Sequence, residues 1–363
     1  MKSKKIVLGF MSGTSCDGLT ICAITAVPFR VIAFKNYPYD NALQQRLLQA
    51  VTFSVPELSA LHFELGKLYA QKAKLFLKSF RINKADIAVA GMHGQTIYHG
   101  PQDSVPNTLQ IAEPSFLADF LQVPVVSNFR EKDMALGGQG APLMPFFDEF
   151  LFGKKDPKIL LNLGGISNIS VVGKGVKTFG FDCGPANTLM DLACKKFLNI
   201  AFDKNGSLAA RGQADTALVK KLLTQKYFRQ QPPKSLDKNH FGSAYLERYF
   251  ASFSEKNIAD LLATLNLFTA AAIAENIRRF VPARYQKEII VSGGGAANKT
   301  LLKNIALQTA LPVKTSSQTG LDPQAKEAAA FALMAWLALN KKTNHCPAAT
   351  GAKNKSILGR ITL

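Results

Sequence analysis

GFMSGTSCDGLT, Gly9 to Thr20, follows the apolar run Ile6-Val7-Leu8 and leads into a second apolar run, Ile21 to Val27. The pattern predicts a strand, a tight loop of glycine and hydroxyl residues, and a returning strand. Glycine lets the chain turn back sharply and brings backbone N–H groups close to a ligand. Gly13 and Gly18 provide that approach, Ser12, Thr14 and Ser15 supply hydroxyls, and Asp17 supplies a carboxylate able to work through Mg²⁺. This is the make-up of a phosphate-binding hairpin and not of a P-loop, because no Lys follows the glycines and no helix signal follows the loop. An ordinary hairpin turn fits this segment alone equally well.

A second copy decides between the two. Lys158 to Leu163 runs into Gly164-Gly165-Ile166-Ser167-Asn168 and then Ile169 to Val172, again strand, glycine turn and strand. The matching starts, Ile6 and Ile159, are about one domain length apart. A third glycine run follows the strand Glu288 to Val291: Ser292-Gly293-Gly294-Gly295 is the turn, and Asn298 to Ala310 reads as a helix. Two phosphate hairpins and a late strand–GGG–helix make the plan of the actin, sugar-kinase and Hsp70 fold. The expected class is therefore α/β, two duplicated ribonuclease-H-like lobes with an ATP cleft between them. We expect an N-terminal lobe over 1–130, with the tail from about 340–363 packed on it, and a C-terminal lobe over 131–339.

At 363 residues, with 47% hydrophobic and 19% charged residues, the chain suits a large folded core. No apolar run reaches the ~18 residues of a membrane helix, and the basic start Met1 to Lys5 precedes an apolar stretch shorter than a signal peptide's ~7–15 residues. The expected compartment is the cytoplasm, with no membrane partner. Cys16, Cys22, Cys183, Cys194 and Cys346 form no CxxC pair and read as reduced side chains. The net charge of +19 is spread along the chain and accompanies no nucleic-acid-binding motif. It suits attraction of anionic small molecules such as ATP.

Further along, Arg30 to Tyr37 reads as a third strand. Glu57 to Phe80 reads as a helix with Leu61, Leu65, Leu68 and Leu75 on one face, interrupted by Lys72. Ile87 to Gly91 reads as a strand entering the loop His93-Gly94-Gln95-Thr96. Arg130 to Pro142 reads as a glycine-rich crossing between lobes, with the Asp133 to Gln139 part built for close backbone approach or serving as a plain hinge. Ile258 to Phe280 is a long apolar helix and Gln324 to Leu339 an Ala-dense one.

Several of these residues are suited to chemistry. Asp182 ends the strand Phe179 to Asp182 before a glycine-proline turn and a helix, which suits a general base or a helix cap. Beside two phosphate loops the base is favoured. Arg130 suits a carboxylate or phosphate partner, or is a surface Arg. Glu327, in an apolar helix, is a buried carboxylate needing a partner, or a first-turn residue favoured by the helix dipole. His93 is a sugar contact or a satisfied loop histidine.

Read together, these strings resemble the anhydro-N-acetylmuramic acid kinase family along nearly the whole chain. They are MSGTSCDG at Met11–Gly18, HGQTI at His93–Ile97, TLQIAEP at Thr108–Pro114, GGQGAPL at Gly137–Leu143 and LNLGGISNI at Leu161–Ile169. GFDCGPANTLMD at Gly180–Asp191, GGGAAN at Gly293–Asn298 and KEAAAFALMAW at Lys326–Trp336 complete the series. The resemblance implies an ATP- and Mg²⁺-dependent, usually dimeric enzyme of peptidoglycan recycling that opens 1,6-anhydro-N-acetylmuramic acid with water and phosphorylates O6. Asp182 would be its base. Ser12 to Ser15, Asp17, Gly18, Gly164, Gly165, Asn168, Gly293 to Gly295 and Asn298 would hold ATP. His93, Arg130, Gly184 and Glu327 would hold the sugar, with Arg130 on its lactyl carboxylate. Three places depart from the family pattern: Thr20 where an Asp is common, Met92 for a small residue, and Lys234 to His240 for a KSTGRE-like segment. We expect these departures to affect the lobe surface around residue 236 and the kinetic efficiency, and to leave Asp182, Arg130 and Glu327 untouched. Rival readings are a kinase for an ordinary sugar hydroxyl, a non-catalytic ATP-binding scaffold and a basic nucleic-acid binder.

Overall fold

The computed structural model describes residues 6–363 except 233, 235, 237–239 and 320. The basic start Met1 to Lys5, and Pro233, Ser235, Asp237, Lys238 and Asn239 around the departing segment, lie outside the described residues. The chain divides into two compact units, Met1–Phe147 with Gln324–Leu363, and Asp148–Pro323.

In the first unit, β1 (Ile6–Ser12), β2 (Gly18–Ala26) and β3 (Phe29–Pro38) form an antiparallel meander. β4 (Ile87–Gly100) runs parallel to β1, β5 (Asn107–Ile111) pairs antiparallel with β4, and β6 (Val125–Ser127) runs parallel to β4. In the second unit, β7 (Lys158–Leu163), β8 (Ile166–Val172) and β9 (Phe179–Pro185) repeat the meander. β10 (Ile289–Ser292) and β11 (Val313–Thr315) extend it in parallel. The tail returns β12 (Arg360–Thr362) to the first unit, antiparallel to β6. The spatial orders are β12-β6-β4-β1-β2-β3 and β11-β10-β7-β8-β9. Without β5 and β12, both units share one ribonuclease-H-like plan: a three-strand meander, then two parallel strands added beside its first strand.

The helix Lys326–Leu339 packs on β1, β2 and β4 of the first unit. The expected boundaries at 130 and 339 fall instead after Phe147 and Pro323, and the physical reason that this helix joins the first unit lies in two glycines. A Cβ on Gly9 would lie 1.8 Å from the carbonyl oxygen of Ala328, and one on Gly91 would lie 2.1 Å from that of Phe331. The helix backbone rests directly on bare strand backbone, and its buried Ala328, Ala329, Ala330, Ala332 and Ala335 permit that approach.

Three other expectations change. His93 to Thr96 continue β4 instead of forming a loop. The supposed crossing at Arg130 opens with a helix, Phe129–Ala135, entered through Asn128 in the left-handed region at φ 56°. On the helix Val55–Phe80 the buried stripe is Leu61, Leu65, Tyr69, Ala73 and Phe76, while Leu75 is exposed, because the helical period carries the face from Tyr69 to Phe76. That helix starts with a capping box between Ser54 and Glu57, whose carboxylate accepts from the Ser54 N–H at 2.8 Å.

The second unit is built around Ile258–Phe280, which is buried along most of its length. Among the described residues, the stretch Glu255–Phe280 is long and apolar enough to cross a membrane, which the apolar-run criterion missed. Its burial among the strands and helices of its own unit makes it a core helix.

Candidate active site

The β1–β2 turn is held from behind. Ser12 is fully buried; its hydroxyl lies 3.0 Å from the Gly18 carbonyl and 2.5 Å from Gln95 Oε1, and it accepts from Tyr39 at 3.1 Å. Gln95 Nε2 donates to the Gly13 carbonyl at 3.0 Å, and the Cys16 N–H closes the turn on the same oxygen at 3.1 Å. Ser12 is thus an anchor of the turn, correcting the expectation that its side chain faces a ligand. Thr14, Ser15 and Asp17 are exposed, and a Cβ on Gly13 would meet only Ser15 Oγ, at 3.6 Å. The rim left open is small, polar and lined by backbone, a make-up that fits a phosphate group.

In the same unit the middle of β4, at His93, meets Arg130 of the helix Phe129–Ala135. Arg130 Nε donates to His93 Nε2 at 2.9 Å, and Arg130 Nη1 donates to the Gly140 carbonyl at 2.8 Å. His93 Nδ1 lies 2.9 Å from the Gly94 carbonyl, so the proton sits on Nδ1 and Nε2 accepts. Burial and the neighbouring guanidinium hold the His93 pKa well below the usual range, so the ring stays neutral. Arg130 is part-exposed at this spot, and its own pKa is lowered by burial against the upward pull of Glu327, Glu131 and Asp133. Glu327 stands in the first turn of its helix with its surface accessible, a correction to the buried carboxylate expected there. Desolvation by the densely packed surroundings lifts its pKa, Arg130 and Lys326 oppose that, and Asp17 adds to it. The structure therefore gathers His93, Arg130, Glu327 and Asp17 in one unit.

Asp133 completes this support. Its Oδ2 accepts from the Gly140 N–H at 2.7 Å, and its Oδ1 accepts from Thr350 Oγ1 at 2.7 Å, with His345 Nε2 at 3.3 Å. Asp133, Thr350 and His345 are all buried. A Cβ on Gly138 would lie 2.2 Å from Asp133 Oδ2, so the GGQG run is folded tightly over that carboxylate.

The second unit carries Asp182 in the middle of β9, because the strand expected to stop there runs on through the supposed turn to Pro185, paired with Ser167 and Ile166 of β8. Cross-strand pairing aligns Ser292 with Asn162, Asn162 with Asn168, and Asn168 with Asp182, a polar row across four strands. The β7–β8 turn is tied to the helix Asn187–Leu198: the N–H groups of Ala186 and Asn187 donate to the Gly165 and Gly164 carbonyls at 2.9 and 3.0 Å. Gly295 packs on Leu163 and Asn187, where a Cβ would lie 2.7 and 2.9 Å away. This brings Gly164, Gly165 and Gly293 to Gly295 together. Gly165 and Gly294 are exposed, and a Cβ on Gly294 would have its nearest neighbour at 4.0 Å. Two residues are placed otherwise than expected. Asn298 is buried and caps the helix Lys299–Thr309, accepting from the Leu301 N–H at 2.9 Å. Gly184 is buried at φ 151° beneath Phe228 and Ala272.

Asp182 Oδ2 accepts from the Leu236 N–H at 2.8 Å. Burial lifts its pKa to about 6, against the downward pull of that N–H and of the Lys234 ammonium. The departing segment thus touches the carboxylate it was expected to spare. Asp191, on the face of its helix shared with Asn187 and Thr188, is raised to about 6 by burial alone. Sequence reading assigned no role to Gln95 or Asp191 and took Asp133 only as part of a segment built for close backbone approach or a hinge; what Gln95 and Asp133 do shows only in what their side chains reach.

A family model described as anhydro-N-acetylmuramic acid kinase matches residues 5–363. The chain belongs to the anhydro-N-acetylmuramic acid kinase family. A relative with that name in Caldanaerobacter subterraneus subsp. tengcongensis is 35% identical over 389 residues, covering 100% of this chain and 98% of its own. Another in Francisella tularensis subsp. novicida is 36% identical over 378 residues, covering 99% of each. Among solved structures, component A of the (R)-2-hydroxyglutaryl-CoA dehydratase of Acidaminococcus fermentans has a TM-score of 0.46 at 12% identity, over 92% of this chain and 98% of that one.

Proposed function

We propose that this chain converts 1,6-anhydro-N-acetylmuramic acid, water and ATP to N-acetylmuramic acid 6-phosphate and ADP, a step of peptidoglycan recycling. The observation that carries the reading is Asp182: a partly buried carboxylate on β9 whose pKa burial lifts to about 6, in a chain of this family. A general base works best with a pKa close to the working pH.

Asp182 takes a proton from water, and the water oxygen attacks the anomeric carbon. The bond from C1 to O6 breaks with its electron pair on O6, which then attacks the γ-phosphorus as ADP leaves. Asp182 returns its proton to solvent. Arg130, braced by neutral His93 and the Gly140 carbonyl, keeps its remaining N–H groups for the lactyl carboxylate. Glu327, accessible beside it, accepts from sugar N–H or O–H groups.

ATP phosphates suit the open rims at Gly13, Thr14, Ser15 and Asp17 and at Gly164, Gly165 and Gly294, each partly or fully exposed. Among the described residues no group of three or more His, Cys, Asp or Glu side chains is placed to hold a metal. That fits Mg²⁺, which keeps several waters and binds through substrate phosphates and one or two carboxylates. Asp17 is the exposed candidate, and the ion when bound spreads the phosphate charge. The same reading makes the enzyme a cytoplasmic homodimer with no nucleic-acid or membrane partner, supported by family membership alone.

The test is ADP release with Mg-ATP and the anhydro sugar, with the product identified by mass. The expected result is a ring-opened 6-phosphate that is lost in Asp182→Asn. Turnover with an ordinary amino sugar but not the anhydro sugar would overturn the substrate.

A further inference from the structure

Lys234 is 6% exposed, unusual for a lysine. Its ammonium lies 4.6, 4.8 and 5.7 Å from the ring centres of Phe280, Tyr227 and Phe181, and donates to the Tyr227 carbonyl at 3.3 Å. The Tyr227 hydroxyl donates to the Asp182 carbonyl at 2.7 Å. The Asp182 N–H donates to the Lys234 carbonyl at 3.1 Å, and the Leu236 N–H donates to Asp182 Oδ2. Three of these bonds form a closed ring, Lys234 to Tyr227, Tyr227 to Asp182 and Asp182 back to Lys234, and the fourth places Leu236 on the carboxylate.

We infer that Lys234 is a positioning residue for the Asp182 base, a latch held so that its carbonyl takes the Asp182 N–H while Leu236 fixes Oδ2 and leaves Oδ1 to face the water. This rests on the reading of Asp182 as base given above. Among the described residues, Oδ1 has no hydrogen bond. An ammonium buried in a cage of three rings gains cation–π attraction in place of hydration, which explains how a charge is kept there. The groups facing it are Asp182 and Cys183 on β9, Tyr227 on the helix Lys226–Arg229, and Arg279 on Ile258–Phe280. Burial and Arg279 bring the Lys234 pKa down to about 8, so below that pH the latch carries its charge.

The test compares wild type, Lys234→Met and Lys234→Arg, reading both the pH profile of kcat/KM and the carboxyl ¹³C titration of Asp182, assigned by difference against Asp182→Asn. Loss of the neighbouring positive charge removes stabilisation of the carboxylate. In Lys234→Met the Asp182 titration and the acid limb should both move up by roughly half a unit or more, and kcat should fall about tenfold or more. Lys234→Arg should restore both in large part. A lowered Tm in Lys234→Met with unmoved titration and acid limb would overturn the latch and leave a packing role only. If the ¹³C titration shifts but Asp182→Asn keeps turnover, the latch stands and the base assignment fails.

Discussion

Asp182 is pulled in opposite directions, and its behaviour with pH follows from which influence wins. Burial favours the neutral acid, while Leu236 and Lys234 favour the carboxylate, and the outcome is a pKa of about 6. As base it works deprotonated, so kcat/KM should fall about tenfold per pH unit below that point, read by the ADP assay. The same shift has a stability consequence. Between its ordinary value of 3.8 and about 6 the folded protein holds the proton more tightly than the unfolded chain, so stability falls as pH rises through that window. Asp191 acts in the same direction. Urea titrations at pH 4 and 6 should show this decline, and Asp182→Asn should flatten it. Arg130 allows a second prediction at this scale. Its guanidinium is held by two fixed acceptors, His93 and Gly140, a geometry that an ammonium cannot reproduce. Arg130→Lys should raise the KM for the anhydro sugar about tenfold or more and leave the KM for ATP unchanged.

Among the elements, the helix Lys326–Leu339 is the most constrained, because backbone meets backbone at Gly9 and Gly91. A single added methyl at either strand position must push the helix away. Gly91→Ala should cost about 1–3 kcal/mol or more, visible in chemical denaturation. That helix also carries Glu327, so the displacement should raise the sugar KM together with the loss of stability. The Ala density and the glycines stand in the sequence as composition. Their pairing does not, because nothing in a local period says which distant strand a smooth helix face will meet. For the same reason the helix was expected in the wrong unit. The hairpins, by contrast, were legible: each is a pair of apolar runs around a glycine turn, and its register is set within about twenty residues.

Across the whole molecule, the tail is a working part of the first unit. β12 closes the sheet edge at β6, and Thr350 and His345 reach back to Asp133, which sets Gly140 and through it Arg130. Deleting residues 343–363 should speed amide exchange in β6 and the helix Phe129–Ala135 while the second unit keeps its protection. Equal loosening of both units would refute that assignment. The sequence by itself determined the duplicated strand–turn–strand plan, the family, and the candidates Asp182, Arg130 and His93, because glycine turns, strand periods and motif spacing are local properties of the chain. Only the tertiary structure decided that Ser12 and Asn298 serve as anchor and cap, that Glu327 is accessible, and that Leu236 holds the Asp182 carboxylate. The Ser12–Gln95 and Leu236–Asp182 bonds join segments dozens of residues apart, whereas the Asn298 cap is local and shows only once the helix start at Lys299 is fixed; burial and hydrogen-bond partners are set by the folded chain rather than by residue type.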